Sequence, residues 1–158
     1  MKLFNVLLIE DNEGDVLLTK VALENTGVPF KLSILDNGES AINFLNKIHA
    51  TTEDIPDIIL LDINLPKKNG HEVLKFIKNN DQIKQIPVVV LTTSSSQKDI
   101  DSAYANHASC FITKPSEMDE FLNAVSAIVN VWFVFSSLPS KISNGFMEKP
   151  IGGVITDH

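Results

Sequence analysis

Five short apolar runs punctuate the chain, and between them lie stretches whose apolar residues recur at helical spacing. The runs are Phe4–Ile9, Phe30–Leu35, Asp57–Leu61, Pro87–Thr92 and Cys110–Ile112. The first, third and fourth contain VLLI, IILL and VVVLT, nearly unbroken hydrophobics rather than an alternation. A strand covered on both faces reads that way, which predicts a parallel sheet between two layers of helices. Helical stretches lie near Gly14–Asn25 (Leu17, Leu18, Val21 and Ala22 on one stripe), Glu39–Ile48, His71–Asn79 and Gln97–Asn106. A fifth starts after Pro115, with Ser116 as the expected N-cap and Glu117 and Asp119 in the first turn. Its stripe is Phe121, Leu122, Val125, Ile128, Val129 and Trp132. Strand and helix alternating five times predict a (βα)5 doubly wound α/β sheet, because parallel neighbours need right-handed crossovers.

Composition narrows the class. With 44% hydrophobic and 21% charged residues, 158 residues suit one domain with a sizeable core. Cys110 has no disulfide partner, and no Cys/His cluster offers a zinc site. A net charge of −7 argues against non-specific binding to nucleic acid or anionic lipid. No apolar run approaches the roughly 20 residues a bilayer needs, and no signal-peptide cleavage site follows Met1–Glu10. A soluble, cytoplasmic chain is expected. After Ser136, Pro139, Gly145, Pro150, Gly152 and Gly153 punctuate a tail expected to be loosely ordered.

In open α/β sheets, ligands bind beyond the carboxyl ends of the strands, so the residues just after each run carry the chemistry. Glu10, Asp11 and Asn12 follow the first run, Asp62 and Asn64 the third. Thr92 closes the fourth and Lys114 follows the fifth. If the first and third strands are neighbours, Glu10, Asp11 and Asp62 converge and repel, and a hard divalent cation relieves that repulsion. Mg²⁺ suits such a site because it takes oxygen ligands and keeps open positions, where a phosphoryl oxygen can enter. Lys114 adds a fixed positive charge and Thr92 a hydroxyl donor, leaving one aspartate free to act as nucleophile.

These segments resemble the receiver domains of two-component response regulators, the CheY-like family. The resemblance covers about residues 5–131 and rests on LLIEDN (Leu7–Asn12), IILLDINLPKKNG (Ile58–Gly70), VVVLTT (Val88–Thr93) and CFITKP (Cys110–Pro115). Spacing agrees: 30 residues from Asp62 to Thr92, 22 from Thr92 to Lys114, and a glycine eight past Asp62. The resemblance implies the flavodoxin-like strand order 2-1-3-4-5. It also implies that Asp62 is the phospho-acceptor, taking phosphate from a partner histidine kinase. Asp11, Asp62 and the Asn64 carbonyl are implied as Mg²⁺ ligands, with Glu10 helping through metal-bound water. Lys114 and Thr92 are implied to contact the phosphoryl group, Phe111 to be the switch aromatic, and Lys114–Pro115 to be a cis peptide. Phe111 stands where many members carry tyrosine, and Thr93 is larger than the residue often found after the switch threonine. Asn64 and Ser94, two past the acceptor and the threonine, imply an intermediate phosphorylated lifetime. The implied output is a switched surface of the fourth helix, fifth strand and fifth helix.

The receiver is expected over residues 1–131 and a C-terminal extension over residues 132–158. Its stretch NVWFVFSSLPS (Asn130–Ser140) is similar to that of stand-alone receivers partnered with bacterial phytochrome-type histidine kinases. So many large apolar groups call for a partner surface. A homodimer face including Phe121, Trp132, Phe133 and Phe135 is expected; the alternative is that Trp132–Phe135 fold back on their own domain. A histidine phosphotransfer protein is a further implied partner. His49, His71, His107 and His158 have no second ligand at metal spacing and are expected at the surface, as are Lys67 and Lys68.

The main enzyme rival is an aspartate-nucleophile phosphatase of the haloacid dehalogenase type. That class needs a second aspartate two residues on as general acid, where this chain has Asn64. A dinucleotide or flavin module is disfavoured because only Gly14 follows the first strand. With so few residues after the receiver, no separate DNA-binding or catalytic output domain is expected.

Overall fold

The first apolar run forms β1 (Phe4–Ile9), buried at every residue. In this computed structural model, which describes residues 3–48, 55–139 and 154–157, β1 pairs in parallel with β2 (Phe30–Leu35) and β3 (Ile58–Leu61). Beyond β3 lie β4 (Val88–Thr92) and β5 (Cys110–Thr113), so these five strands run in the order 2-1-3-4-5. Alternate strand residues serve two cores. Leu7, Ile9, Ile59, Leu61, Val88 and Val90 face one helix layer, while Val6, Leu8, Ile58, Leu60, Val89 and Leu91 face the other. That double burial explains the unbroken apolar runs.

Helices α2 (Gly38–Lys47), α3 (Gly70–Lys78) and α4 (Gln97–Ala105) close the first core. Helices α1 (Glu13–Asn25) and α5 (Met118–Val129) close the second. Four helices start on a short polar cap. The side chains of Asn12, Asn37, Asn69 and Ser96 accept from the amides of Asp15, Ser40, Glu72 and Asp99 at 2.8–3.2 Å.

Two local expectations fail. The N-cap of α5 is Glu117, without a side-chain cap bond, and Ser116 sits one residue too early to reach the first free amides. Leu17 is 61% exposed rather than part of the α1 stripe. Thr19 takes an inward position instead, its hydroxyl donating back to Asp15 O at 2.7 Å, so the buried line runs through Thr19, Ala22 and Leu23.

At the other end, α5 continues as a π-helical turn (Asn130–Phe135). The combined stretch Met118–Phe135 is long and apolar enough, by length and composition, to cross a membrane, against the expectation of no such run. Its Phe121, Val125, Ile128 and Val129 pack into the second core, as a core helix of a sheet domain does. Phe121, expected on a dimer face, is 3% exposed and unavailable to a partner. Trp132 and Phe133 lean half-buried on the same core, the Phe133 ring 4.5 Å from that of Phe4. Fold-back therefore describes these two, whereas Phe135 is 81% exposed.

Against the expectation of a loosely ordered tail, β6 (Val154–Asp157) lies parallel to β2 on its outer side, from Lys31↔Val154 to Ile34↔Asp157. The Ser33 and Thr156 hydroxyls are 3.1 Å apart across this pair. Covering β2 satisfies an edge that would otherwise present free backbone groups. Gly145, Pro150, Gly152, Gly153, His49 and His158 lie outside the described residues.

Candidate functional site

Strand register assembles the site. Pairing of Ile9 with Leu61 sets the next residues, Glu10 and Asp62, side by side at the carboxyl edge. Glu10 N donates to Leu35 O at 2.9 Å and Asp62 N to Ile9 O at 3.0 Å, carrying each ladder one residue past its strand. Carboxylate oxygens of Glu10, Asp11 and Asp62 lie within 4.8 Å of one another. Glu10 and Asp62 are buried and Asp11 is exposed, so the cluster opens on one side to solvent.

Lys114 enters from the end of β5. Its amide donates to Thr92 O at 2.6 Å, next to the Thr92↔Thr113 pair. The Lys114 ammonium donates to Glu10 Oε1, to Asp15 Oδ2 at 2.7 Å and to Asp62 Oδ2 at 3.3 Å, with only 4% of the side chain exposed. Thr92 is fully buried beside Asp62, and Asn64 N donates to Asp62 Oδ1 at 3.1 Å. Asn12 N donates to Glu10 Oε2 at 3.2 Å. Two glycines let the 62–68 loop seat closely on helix starts. Gly70 N donates to Ile63 O at 2.8 Å and Gly38 N to Pro66 O at 3.3 Å. A Cβ would stand 2.3 Å from Asp62 O at Gly70 and 1.8 Å from Lys68 O at Gly38.

Electrostatics separates the two buried acids. Burial, with the neighbouring Asp62 charge, raises the Glu10 carboxyl to about 7 despite its bond to Lys114. Burial also works against ionisation of Asp62, but the Lys114 charge, the Thr92 hydroxyl and the Asn64 amide outweigh it and hold Asp62 below its ordinary value. Lys114 is itself desolvated, yet its bonds to Asp15 and Glu10 raise its pKa. The site thus holds an ionised carboxylate beside a charged lysine. Its hard oxygen donors, one of them solvent-facing, fit a divalent cation such as Mg²⁺ or Mn²⁺.

Glu10, Asp11, Asp62, Asn64, Thr92 and Lys114 therefore come together as expected. Phe111 stands apart from them on β5, half-buried against the first core, its N–H donating to Tyr104 Oη at 3.1 Å. Pro115, next in the chain after Lys114, is half-buried. Three participants lie outside the sequence reading: Asp15 on Lys114, Tyr104 on Phe111, and Asp99 on Ser94. Ser94 Oγ donates to Asp99 Oδ2 at 2.7 Å, and Asp99 Oδ1 lies 3.0 Å from His71 Nε2. His71, expected at the surface, is half-buried in that contact, while His107 is exposed. The signal available for Asp15 was an acidic residue in the first turn of the helix that follows Glu10 and Asp11.

Residues 6–126 match the response regulator receiver domain family. The chain is 36% identical over 136 residues to the probable methanogenesis regulatory protein FilR2 of Methanothrix harundinacea, covering 86% of this chain and 88% of that protein. It is 38% identical to response regulator Rcp1 of Synechocystis, covering 85% of this chain and 92% of Rcp1. The Mn²⁺-bound structure of Rcp1 superposes with a TM-score of 0.80 over 89% of this chain and all of that one. The phosphorylated cyanobacterial phytochrome response regulator RcpA is 39% identical with a TM-score of 0.82, covering 87% of this chain and 99% of RcpA.

Proposed function

This chain belongs to the response regulator receiver family, and we propose that it is a phospho-switch whose acceptor is Asp62. A carboxylate oxygen of Asp62 attacks the phosphorus of a phosphohistidine on a partner histidine kinase. The O–P bond forms as the P–N bond breaks, and the electron pair leaves on the imidazole nitrogen. One observation carries the reading: Lys114 and the acidic cluster converge on an Asp62 held ionised, ready as nucleophile. Thr92 and Lys114 then donate to the phosphoryl oxygens. Glu10, Asp11, Asp62 and the Asn64 carbonyl would hold Mg²⁺, which when bound offsets the carboxylate charge and receives a phosphoryl oxygen. The Mn²⁺-bound form of Rcp1 supports a divalent cation here.

Phe111 follows the movement of Thr92, and the surface of α4, β5 and α5 changes its affinity for partners. Asn64 and Ser94 border the acyl phosphate and set a slow autodephosphorylation. The likeness to RcpA, a phytochrome response regulator, favours a phytochrome-type kinase in the cytoplasm. A histidine phosphotransfer protein is a second partner of the same chemistry. Exposed Val131, Val134 and Phe135, beside half-buried Trp132 and Phe133, supply the apolar face of a homodimer. The phosphatase alternative finds no support among the comparisons, and Asn64 fills the position of its general acid.

Acetyl phosphate with Mg²⁺, followed by intact mass and sedimentation, tests the reading. Wild type should gain one phosphate and Asp62→Asn none. An unmodified wild type, under conditions that label a control receiver, would refute it.

A further inference from the structure

The Lys114 ammonium has three hydrogens, and three carboxylates already use them: Glu10, Asp15 at 2.7 Å and Asp62 at 3.3 Å. A phosphoryl group on Asp62 brings a further acceptor to a donor with none to spare, so one bond must be given up. Glu10 and Asp62 are 4% and 7% exposed in their side chains, whereas Asp15 is 24% exposed. Water can replace the lysine on Asp15 far more readily than on the other two. Asp15 is also outside the group of three carboxylates placed to hold a metal ion. Its backbone is fixed at both ends: its N–H donates to Asn12 Oδ1 at 2.9 Å and its O accepts from Thr19 Oγ1 at 2.7 Å. The carboxylate is thus a stationary anchor on the first turn of α1.

We propose that Asp15 is a positioning residue that holds Lys114 toward α1 and competes with the phosphoryl group for it. The inference rests on Asp62 being the phospho-acceptor. Two consequences follow from charge. In the unphosphorylated protein, the 2.7 Å bond from Lys114 to Asp15 is a stabilising contact that phosphorylation gives up. Once Asp62 is phosphorylated, the surrendered Asp15 carboxylate is left as an extra negative charge beside a group of about −1.5 to −2. Both effects disfavour the phosphorylated state, so Asp15 limits how much of it accumulates.

The test compares wild type, Asp15→Asn and Asp15→Glu, each with acetyl phosphate and Mg²⁺. Removing the charge should lower the acetyl phosphate needed for half-phosphorylation about fivefold, the worth of one partly solvated charge at this range. Asp15→Glu should stay near wild type. The ¹⁵N signal of the Lys114 ammonium supplies a readout that a merely structural role would not move. Its hydrogens should exchange faster in unphosphorylated Asp15→Asn than in wild type, and equally in the two phosphorylated forms. Wild type labelled at Asp62 with Asp15→Asn unchanged within about twofold overturns the Asp15 role alone; equal gains in Asp15→Asn and Asp15→Glu overturn it too, because charge is then not the cause. A wild type that takes no label at Asp62 overturns both the role and the reading beneath it.

Discussion

Replacing Gly70 by alanine tests whether shape holds the acceptor loop in place. A Cβ there stands 2.3 Å from Asp62 O, 2.6 Å from Ile63 Cα and 3.0 Å from Asp62 C, all of them backbone atoms. Carbon contacts relax at about 3.5 Å, so helix and loop must part by roughly 1 Å. Two effects compete. Gly70 is the first residue of α3, and alanine gains up to about 1 kcal/mol there from helix propensity and a less mobile unfolded chain. Overpacking against unyielding backbone costs about 1–3 kcal/mol, and stretching the 2.8 Å bond from Gly70 N to Ile63 O adds up to about 1 kcal/mol. The clash wins, leaving a net loss of about 1–2 kcal/mol. Gly14→Ala is the control: its Cβ would meet only the Asn12 side chain at 3.2 Å, so its stability should stay within about 0.5 kcal/mol of wild type. In urea, with a slope of about 2 kcal/mol/M, Gly70→Ala should lower the midpoint by about 0.5–1 M. Labelling by acetyl phosphate should slow at least about tenfold, because a displaced Asp62 backbone re-aims the nucleophile. If Gly70→Ala matches Gly14→Ala in stability and labels at the wild-type rate, close approach of α3 does not position the acceptor.

Four further substitutions probe other parts of the molecule. Glu10 is raised to about 7 in the folded state, above its unfolded value, so its stabilising contribution is full below the ordinary carboxylate range and is lost as pH rises through about 7. In metal-free buffer, wild type should therefore lose stability relative to Glu10→Gln between pH 5 and about pH 8; a constant urea-midpoint difference across that window refutes the shift. Phe135→Asp should turn the proposed dimer into a monomer in sedimentation while leaving the monomer's own fold intact, because Phe135 is 81% exposed in the single chain. Phe121→Ala should instead cost about 3–5 kcal/mol of stability, and the reverse pattern would mean the exposed and core faces of the α5 segment are misassigned. Asp57 is buried before β3, where it accepts from Asn5 N at 2.8 Å, at the sheet end away from the acceptor. Asp57→Ala should cost about 1–3 kcal/mol by stranding that amide, with the labelling rate of the folded protein unchanged.

The sheet was legible because double burial leaves short unbroken apolar runs between helical stretches: IILL at Ile58–Leu61 has no polar partner to alternate with. Site residues were legible for a related reason, since a parallel sheet gathers whatever follows its strands at one edge, and Ile9↔Leu61 pairing does so for Glu10 and Asp62. Helix orientation was harder to read. Leu17 and Thr19 exchange the places their polarity suggests, because Thr19 satisfies its hydroxyl within the helix on Asp15 O and can be buried. Phe121 and Phe135 look alike in sequence, yet one is buried and the other open, because α5 meets the sheet over its first turns and overruns it as the π-helical turn. Asp15 acts on Lys114, 99 residues away, which no local spacing encodes, and Tyr104 meets Phe111, seven residues on, only because β5 runs back beside α4. β6 is four residues whose pairing is decided by the open side of β2 rather than by their own pattern.

Thr92 is where the chemistry of Asp62 meets the α4 side of the molecule. Its hydroxyl accepts the Ser94 amide at 3.4 Å, the longest bond in the chain that starts there and so the first to be exchanged. Ser94 Oγ donates to Asp99 Oδ2 at 2.7 Å, Ser94 O accepts from Thr113 Oγ1 at 3.0 Å, and Asp99 Oδ1 lies 3.0 Å from His71 Nε2. The Ser94 and His71 bonds hold the Asp99 carboxyl below its ordinary value, which keeps it an acceptor for both. A Thr92 hydroxyl that turns to a new acceptor beside Asp62 therefore releases Ser94, and Ser94 is bonded to α4 on one side and to the end of β5 on the other. Val90 and Leu91 are packed on opposite faces of β4 and leave its backbone little room to follow. The displacement has to pass through the Ser94 loop, by exchange of hydrogen bonds rather than by repacking of the core. On the proposed role of Thr92, that routing would carry a change confined to one buried threonine to α4 and β5, where Tyr104 Oη accepts the Phe111 amide.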